Sequence, residues 1–347
     1  MRTLLTFDYE VFFGRATGSV ARTLLEPTQA LCELALRHGV RMVFFVDAGF
    51  ILRLRAEMHK AARLREEFDA VCRQVEALAR AGHEVQLHIH SHWEDSVWTD
   101  DGWQVDTRRY RLHDFEPVAI DSIVRRYTTV LRELAGPDHA FAFRAGGWVI
   151  QPFDKLHDAL RGVGVRIDST VFAGGVSDGP THTYDFRAAP PQSHWHFETD
   201  PLRPVADGWF LEVPIASHTV SPLFFWRFAV ARKLGGAQHR AFGDGRAIGM
   251  GRGDMLRKLL RPSVSVVSMD GYKAGFLAQA AKRYRNRSMT DFVVIGHPKA
   301  LTPYSMSRLD RFLAQGAASE VTTFATYLLP QQREPEVPTD ELVNSAA

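Results

Sequence analysis

The sequence predicts an α/β fold in which parallel strands covered by helices close into a barrel. Three observations carry this prediction. Apolar, β-rich runs alternate with helical segments over about 300 of the 347 residues, the pattern of βα units on a parallel sheet. Seven or eight such units favour a barrel, with a doubly wound open sheet as the alternative. No Gly-x-Gly-x-x-Gly turn follows the first strand, so the fingerprint of a dinucleotide-binding open sheet is missing.

The elements follow in order. Thr3–Phe7 is apolar and β-rich. Residues 28–37 have helical spacing (Ala30, Leu31, Leu34, Ala35) and stop at Gly39. "VRMVFFVD" is a buried strand, and a charged amphipathic helix covers about 60–80, ending at Gly82. "EVQLHIH" is the third strand, and "TDDG" is a turn in which Asp101-Gly102 signals a hairpin. A helix follows Pro117, "AFAFR" is a strand, and 153–161 is helical. "VGVRID", "GWFLEVPI" and "VSVVSMD" are strands. Residues 271–283 are helical, "DFVVIGH" is the last clear strand, 305–315 is helical, and "EVTTFATYL" adds a strand and a turn. Residues 1–328 form one expected catalytic domain, with a basic, Gly-rich insertion at about 221–262. Residues 329–347, rich in Pro, acids and small residues, are expected to be a disordered tail.

Composition narrows the function. Hydrophobic residues make up 45% of the chain, enough for a large core. Cys32 and Cys72 lie far apart on helix-like segments and read as small buried residues, not as a disulfide or thiolate metal site. The start of the chain shows no basic region followed by an apolar core and cleavage site, and no window reaches about 18 apolar residues. A cytoplasmic protein is therefore expected. The net charge of +2 conceals nine Lys/Arg against two Asp in residues 221–262. Because the remainder is acidic, nucleic-acid binding is not expected.

Parallel α/β folds collect reactive groups at the C-terminal ends of strands. Here those ends carry Asp8-Tyr9-Glu10, then His88, His90 and His92, then Arg144 through Trp148, then Asp168-Ser169-Thr170, and finally His297-Pro298. Singly, each has an ordinary explanation: a strand-end Asp is most often a cap or turn former, and a His-x-His a hydrogen-bonded face. Five strand ends together argue otherwise. Neutral imidazoles with one carboxylate are a common ligand set for a catalytic divalent metal with open positions. A second carboxylate can take a proton from water, an arginine can keep that carboxylate charged, and a distant histidine can protonate a leaving group. The set describes a metal-assisted amide or ester hydrolase.

The same residues resemble the motifs of the polysaccharide deacetylases of carbohydrate esterase family 4, the NodB homology domain. The family's Thr-Phe-Asp-Asp is similar to "TFDYE" here. Its His-[Ser/Thr]-x-x-His is matched by His88 and His92 in "GHEVQLHIHSH". "FRAGGW" stands for its Arg-Pro-Pro-aromatic turn, "GVRIDSTVF" for its strand-end Asp, and "VVIGHP" for its final His. Order and spacing match from residue 3 to about 300. The resemblance implies a deformed (β/α)7-type barrel and removal of N-acetyl, sometimes O-acetyl, groups from sugars. It implies Asp8 as general base with Arg144 as its tether. Glu10, His88 and His92 would be ligands of a divalent metal ion, zinc above all, with cobalt, manganese or nickel as substitutes. His297 would be the general acid, partnered by Asp168. Two departures stand out. Tyr9 replaces the family's second acid and, by strand alternation, points away from Asp8, while Glu10 returns to its face. Two glycines replace two prolines, which frees a backbone N–H at Gly147 for an oxyanion.

The "HPKALT" ending is similar to a cytoplasmic branch of this superfamily found around surface-polysaccharide synthesis. The expected substrate is an acylated amino sugar, nucleotide- or lipid-linked, losing an acetyl or formyl group in lipopolysaccharide or O-antigen synthesis. Trp93 and Trp148 are expected to stack on sugar faces, and His194 and His196 are minor further ligand candidates. An amidohydrolase acting on a small non-sugar amide is the rival enzyme. A metal-free glycan- or nucleotide-sugar-binding module is the rival from another class. Residues 221–262 admit three readings: a lid over an anionic substrate, a patch on an anionic membrane, or a solvated excursion.

The three histidines pose a question of backbone shape. In a flat strand the Cα atoms of His88 and His92 lie about 13 Å apart, too far for one ion. A turn near 89–91 would fold His92 back and leave His90 facing the substrate or supporting the ligands. An extended segment would make His88 and His90 the pair.

Overall fold

The computed structural model describes residues 1–14, 16–179, 181–246, 252–316 and 320–328; the expected tail at 329–347 lies outside the described residues. Seven parallel strands form the framework: β1 (Arg2–Tyr9), β2 (Val43–Asp47), β3 (Glu84–Ile89), β4 (Ala142–Ala145), β5 (Ile167–Asp168), β6 (Phe210–Glu212) and β7 (Asp291–Gly296). Their spatial order is β6-β5-β4-β3-β2-β1-β7. An antiparallel strand, Trp195–Phe197, lies outside β6. The short strand Glu320–Thr322 pairs with the start of β1. Beyond β6 the chain reaches across: Ile215 bridges Val293 of β7 in parallel, and Ala216 N–H donates to the Val293 carbonyl at 2.9 Å. The sheet thus curls until its two edges meet, which is the deformed barrel and not the open sheet.

Helices α1 (Glu26–His38), α2 (Ala48–Glu57), α3 (Ala62–Arg80), α4 (Pro117–Ala135) and α5 (Asp154–Gly162) follow the first strands. Their ends obey local chemistry. Gly39 closes α1 at φ 62, a left-handed position that only glycine adopts without strain. Asp47 accepts from Phe50 N–H and caps α2. α2 has no sequence-level counterpart, because "GFILRLR" follows the strand "VFFVD" with no polar break. Helices α6 (Pro222–Leu234) and α7 (Arg252–Leu260) lie in the basic segment, and α8 (Leu277–Asn286) and α9 (Pro303–Ala314) complete the chain. Among the described residues, no helix is long and apolar enough to cross a membrane.

Register explains why charge gathers at one end. Leu4, Val43, Phe45, Ala142, Ile167, Leu211 and Val293 form a buried cluster with Phe324. Alternation then carries the inward rows upward: Leu4 leads to Asp8, Phe45 to Asp47, Ala142 to Arg144. Glu84 lies low in its own row and accepts from Phe324 and Ala325 N–H, and two steps beyond Gln86 comes His88. Pairing holds these ends level, Asp47 opposite His88, His88 opposite Arg144, and Asp168 opposite both Phe143 and Glu212. One expected barrel strand differs. The first three residues of "VSVVSMD" belong to the strand Ser263–Val266, which pairs antiparallel with Ser217–Val220, and only Ser268 bridges β7.

Candidate metal centre

Glu10, His88 and His90 each offer one ligand atom, and these atoms all lie within 4.8 Å of one another among buried side chains. β3 ends at Ile89, yet His90 stays extended at φ −108, ψ 93, so its ring follows the His88 row. The 3-10 turn Ser91–Glu94 begins after it, anchored by Ser91 Oγ donating to the Tyr110 carbonyl at 2.9 Å. His92 therefore does not fold back. Its ring stacks on Tyr110, 5.7 Å between centroids and nearly parallel. The geometry puts His90 where the resemblance implied His92, because the chain turns one residue too late.

The donor set fits a divalent ion. His88 Nδ1 lies 2.8 Å from the Arg144 carbonyl oxygen, so Nδ1 carries the proton and Nε2 turns a lone pair toward Glu10 Oε2 at 3.3 Å. His90 Nε2 faces the same oxygen. His90 Nδ1 is buried without a hydrogen-bond partner among the described residues, as are both ring nitrogens of His92. The other oxygen, Glu10 Oε1, accepts from Lys299 Nζ at 2.8 Å, and Lys299 also donates to the Val11 carbonyl. Lys299 thus fixes the carboxylate so that Oε2 faces the imidazoles. Burial works against a charged Glu10, but Lys299 and then His90 outweigh it and hold the carboxyl well below its usual range.

Asp8 stands beside this group. Its Oδ1 accepts from Arg144 Nη1 at 2.7 Å, and its Oδ2 lies 4.0 Å from His88 Nε2 and 3.6 Å from His297 Nε2. Arg144 is fully buried. Its Nε donates to the Ser169 carbonyl at 2.7 Å, its Nη2 to Ser169 Oγ at 3.1 Å, and Phe45 lies under it. Each of its three nitrogens donates one hydrogen bond, so Asp8 meets a fixed cation. Tyr9 leaves on the opposite face, where its hydroxyl donates to Gln74 on α3.

His297 closes the far side. Asp270 accepts from its backbone N–H and lies 2.8 Å from Nδ1, leaving Nε2 toward Asp8 and Glu10. Burial alone would lower the imidazole; Asp270 and then Asp8 outweigh it and raise its pKa. The residue that the resemblance implied as its partner, Asp168, sits elsewhere. Asp168 accepts from Thr170 Oγ1 at 2.7 Å, and Thr170 Oγ1 in turn accepts from Ala145 N–H at 3.0 Å. It therefore braces the turn after Arg144. Asp168 also pairs with Glu212, whose carboxyl burial and then Asp168 hold well above the usual range.

The remaining expected residues divide. Gly147 has φ 62, and a Cβ there would meet His182 and the Tyr110 hydroxyl. Trp148 packs against Phe172 and Tyr184. Trp93 is 1% exposed and donates from its indole to Asp47 at 2.7 Å, so it offers no face to a sugar. His194 bonds Asp291, at the start of β7, the barrel end opposite His297, and His196 lies against the Gly208 carbonyl. An aromatic wall was not foreseen: the Phe13 ring lies between 5.4 and 5.9 Å from His90, His92, Tyr110 and His182. Asp270 and Lys299 were also missed. The signal for Asp270 was its place at the end of "VSVVSMD"; for Lys299 it was only two residues' distance from His297.

No family model matches the chain, and no curated protein matches it. Among solved structures it is similar to a Mycobacterium smegmatis protein that carries the name polysaccharide deacetylase, with 16% identity, 94% of this chain and 88% of that chain covered, and a TM-score of 0.47. It is similar to a peptidoglycan N-acetylglucosamine deacetylase at 12% identity, with 94% and 86% covered and a TM-score of 0.42. An allantoinase gives 14% identity, 94% and 88% coverage and a TM-score of 0.46.

Proposed function

We propose that this chain is a metal-dependent deacylase that hydrolyses the N-acyl group of an amino sugar, acetyl or formyl, on a nucleotide- or lipid-linked precursor of a surface polysaccharide. One observation carries the reading. Glu10, His88 and His90 converge on one point, with Asp8 held by Arg144 on one side and His297 held by Asp270 on the other. That is a ligand set flanked by a base and an acid, with each flank fixed by its own counter-charge.

Glu10 Oε2, His88 Nε2 and His90 Nε2 would hold the ion, zinc in our reading. Bound there, it supplies Lewis acidity to the acyl carbonyl and to water. Asp8 accepts a proton as the water oxygen attacks the acyl carbon. Arg144 holds Asp8 in place through the hydrogen bond to its Oδ1. The backbone N–H at Gly147 would be the donor to the developing oxyanion. His297 gives its proton to the departing nitrogen as the carbon–nitrogen bond breaks, so the products are a free amine and acetate or formate.

The direct test measures acetate and formate release from nucleotide-linked acylated amino sugars with added zinc, cobalt, manganese or nickel, beside a panel of small cyclic ureides. Release from the sugars is expected. Turnover of ureides alone would move the chain to the small-amide class, and no bound metal with no turnover would leave a binding module. Asp8→Asn should lower the rate by about 10²–10⁴-fold with metal content unchanged. A fully active Asp8→Asn enzyme removes Asp8 as the base.

A further inference from the structure

Helices α6 and α7 lie between the paired strands Ser217–Val220 and Ser263–Val266, so the excursion leaves and re-enters the barrel at one place. α6 is anchored by one face: the Phe224 ring packs against Tyr272 and Phe276, at 5.8 and 5.0 Å, and Phe228 against Tyr272. The opposite face is bare. Leu223, Trp226, Val230 and Leu234 fall at i, i+3, i+7 and i+11, a single stripe at helical period. They are 54%, 54%, 54% and 75% exposed. Leu256 and Leu260, one turn apart on α7, are exposed as well, and the Trp226 indole donates to the Leu259 carbonyl at 3.2 Å to join the two helices. Twelve large apolar side chains are exposed among the described residues, and six of them lie on these two helices. Scattered exposure needs no explanation, but concentration does.

The charge around the stripe has one sign. Arg227 and Lys233 flank it at helical spacing, and Arg232, Arg240, Arg246 and Arg261 are exposed nearby. α6 contains no acid, and of the two aspartates in the segment Asp244 is occupied by the backbone and hydroxyl of Ser19. A tryptophan and leucines that protrude, ringed by arginine and lysine, match the interface of an anionic bilayer: the apolar row enters the acyl boundary while the cations meet headgroup phosphates.

We propose that the exposed stripe of α6, with Leu256 and Leu260 of α7, docks this protein on an anionic lipid surface. The docking face is tied to the candidate site through the backbone. Phe242 N–H donates to the Leu301 carbonyl and Gly243 N–H to the Lys299 carbonyl, so the excursion is stitched to the loop that carries His297 and Lys299. If the proposed deacylation holds, docking would bring the site to lipid-linked sugars, while soluble nucleotide-linked ones reach it without the membrane.

The test uses the full chain and vesicles of phosphatidylcholine with and without phosphatidylglycerol, read by co-sedimentation and by the emission of Trp226, the one tryptophan of seven classed as exposed. Binding is expected to the anionic vesicles, to weaken as salt rises, and to fall at least about tenfold in Leu223→Ser/Trp226→Ser. Trp226→Phe should keep most of the binding and lose the blue shift. Turnover of a water-soluble nucleotide-linked substrate should be unchanged in the double variant, so the docking and the chemistry fail independently. Equal binding to neutral and anionic vesicles, no binding, or binding untouched by the double variant overturns the proposal. So does a dimer in light scattering that the double variant dissociates without any vesicle binding, because the face then belongs to a second copy.

Discussion

His90 decides the residue-scale reading. Its Nε2 faces Glu10 Oε2, whereas His92, whose ring nitrogens are likewise buried without a hydrogen-bond partner among the described residues, sits in a ring stacked on Tyr110. Burial, and then His90, hold the His92 imidazole well below its usual pKa. Metal titration by equilibrium dialysis separates the two. His90→Ala should weaken metal binding by more than about 100-fold, the upper range for groups that only support a ligand, and His92→Ala should weaken it less. The reverse order would restore His92 as the ligand. Asp270 supplies a second residue-scale prediction. Because Asp270 helps raise the pKa of His297, Asp270→Asn should lower it. A general acid works only while protonated, so the alkaline limb of kcat/KM should move to lower pH. An unmoved limb means that another group donates the proton.

At the scale of the element, the turn after β4 explains a departure that the sequence showed without a reason. A Cβ on Gly146 would lie 2.6 Å from the Ile89 carbonyl oxygen and 2.7 Å from His90 Nδ1. The glycine is there because the His90 ring occupies the space a side chain would need. Gly146→Ala should therefore displace His90 and reduce metal occupancy, measured by elemental analysis after dialysis, while thermal unfolding stays cooperative. Full occupancy in that variant would show that the ring is not confined. The same turn is braced by Asp168 through Thr170, which gives the strand-end acid a structural duty. Its appearance among the strand ends was legible; its partner was not, because a motif fixes the order of residues and not which acid a folded loop brings to a histidine.

For the whole molecule, the barrel concentrates ionisable groups inside, and one pair of them sets a pH dependence. Glu212 has its pKa raised well above the ordinary range, by burial and then by Asp168, and Asp168 is raised chiefly by burial. A carboxyl with a folded pKa above its unfolded one binds its proton more tightly in the folded state. Stability is then greatest below the unfolded value, about 4.3 for Glu, and falls as pH rises toward the folded value. Glu212→Gln cannot titrate, so its urea midpoint should depend less on pH above the unfolded value of about 4.3 and should gain on the parent chain as pH rises. Parallel pH profiles would show that the pair is not the source.

The sequence by itself determined the layered α/β plan and the barrel end where chemistry gathers, because strand alternation and parallel pairing are local, repetitive rules. It also determined that Asp8 and Glu10 share a face and Tyr9 does not, since a two-residue period fixes that. Only the tertiary structure places His90 beside Glu10 and His88 and His92 on Tyr110, because that depends on where β3 stops being extended, and the anchor of that turn, Tyr110, lies 19 residues away from Ser91. Only the tertiary structure brought Lys299 onto Glu10 and Asp270 onto His297, contacts that span 289 and 27 residues of chain and exist because β7 pairs with β1 on one side and with the stretch before Asp270 on the other.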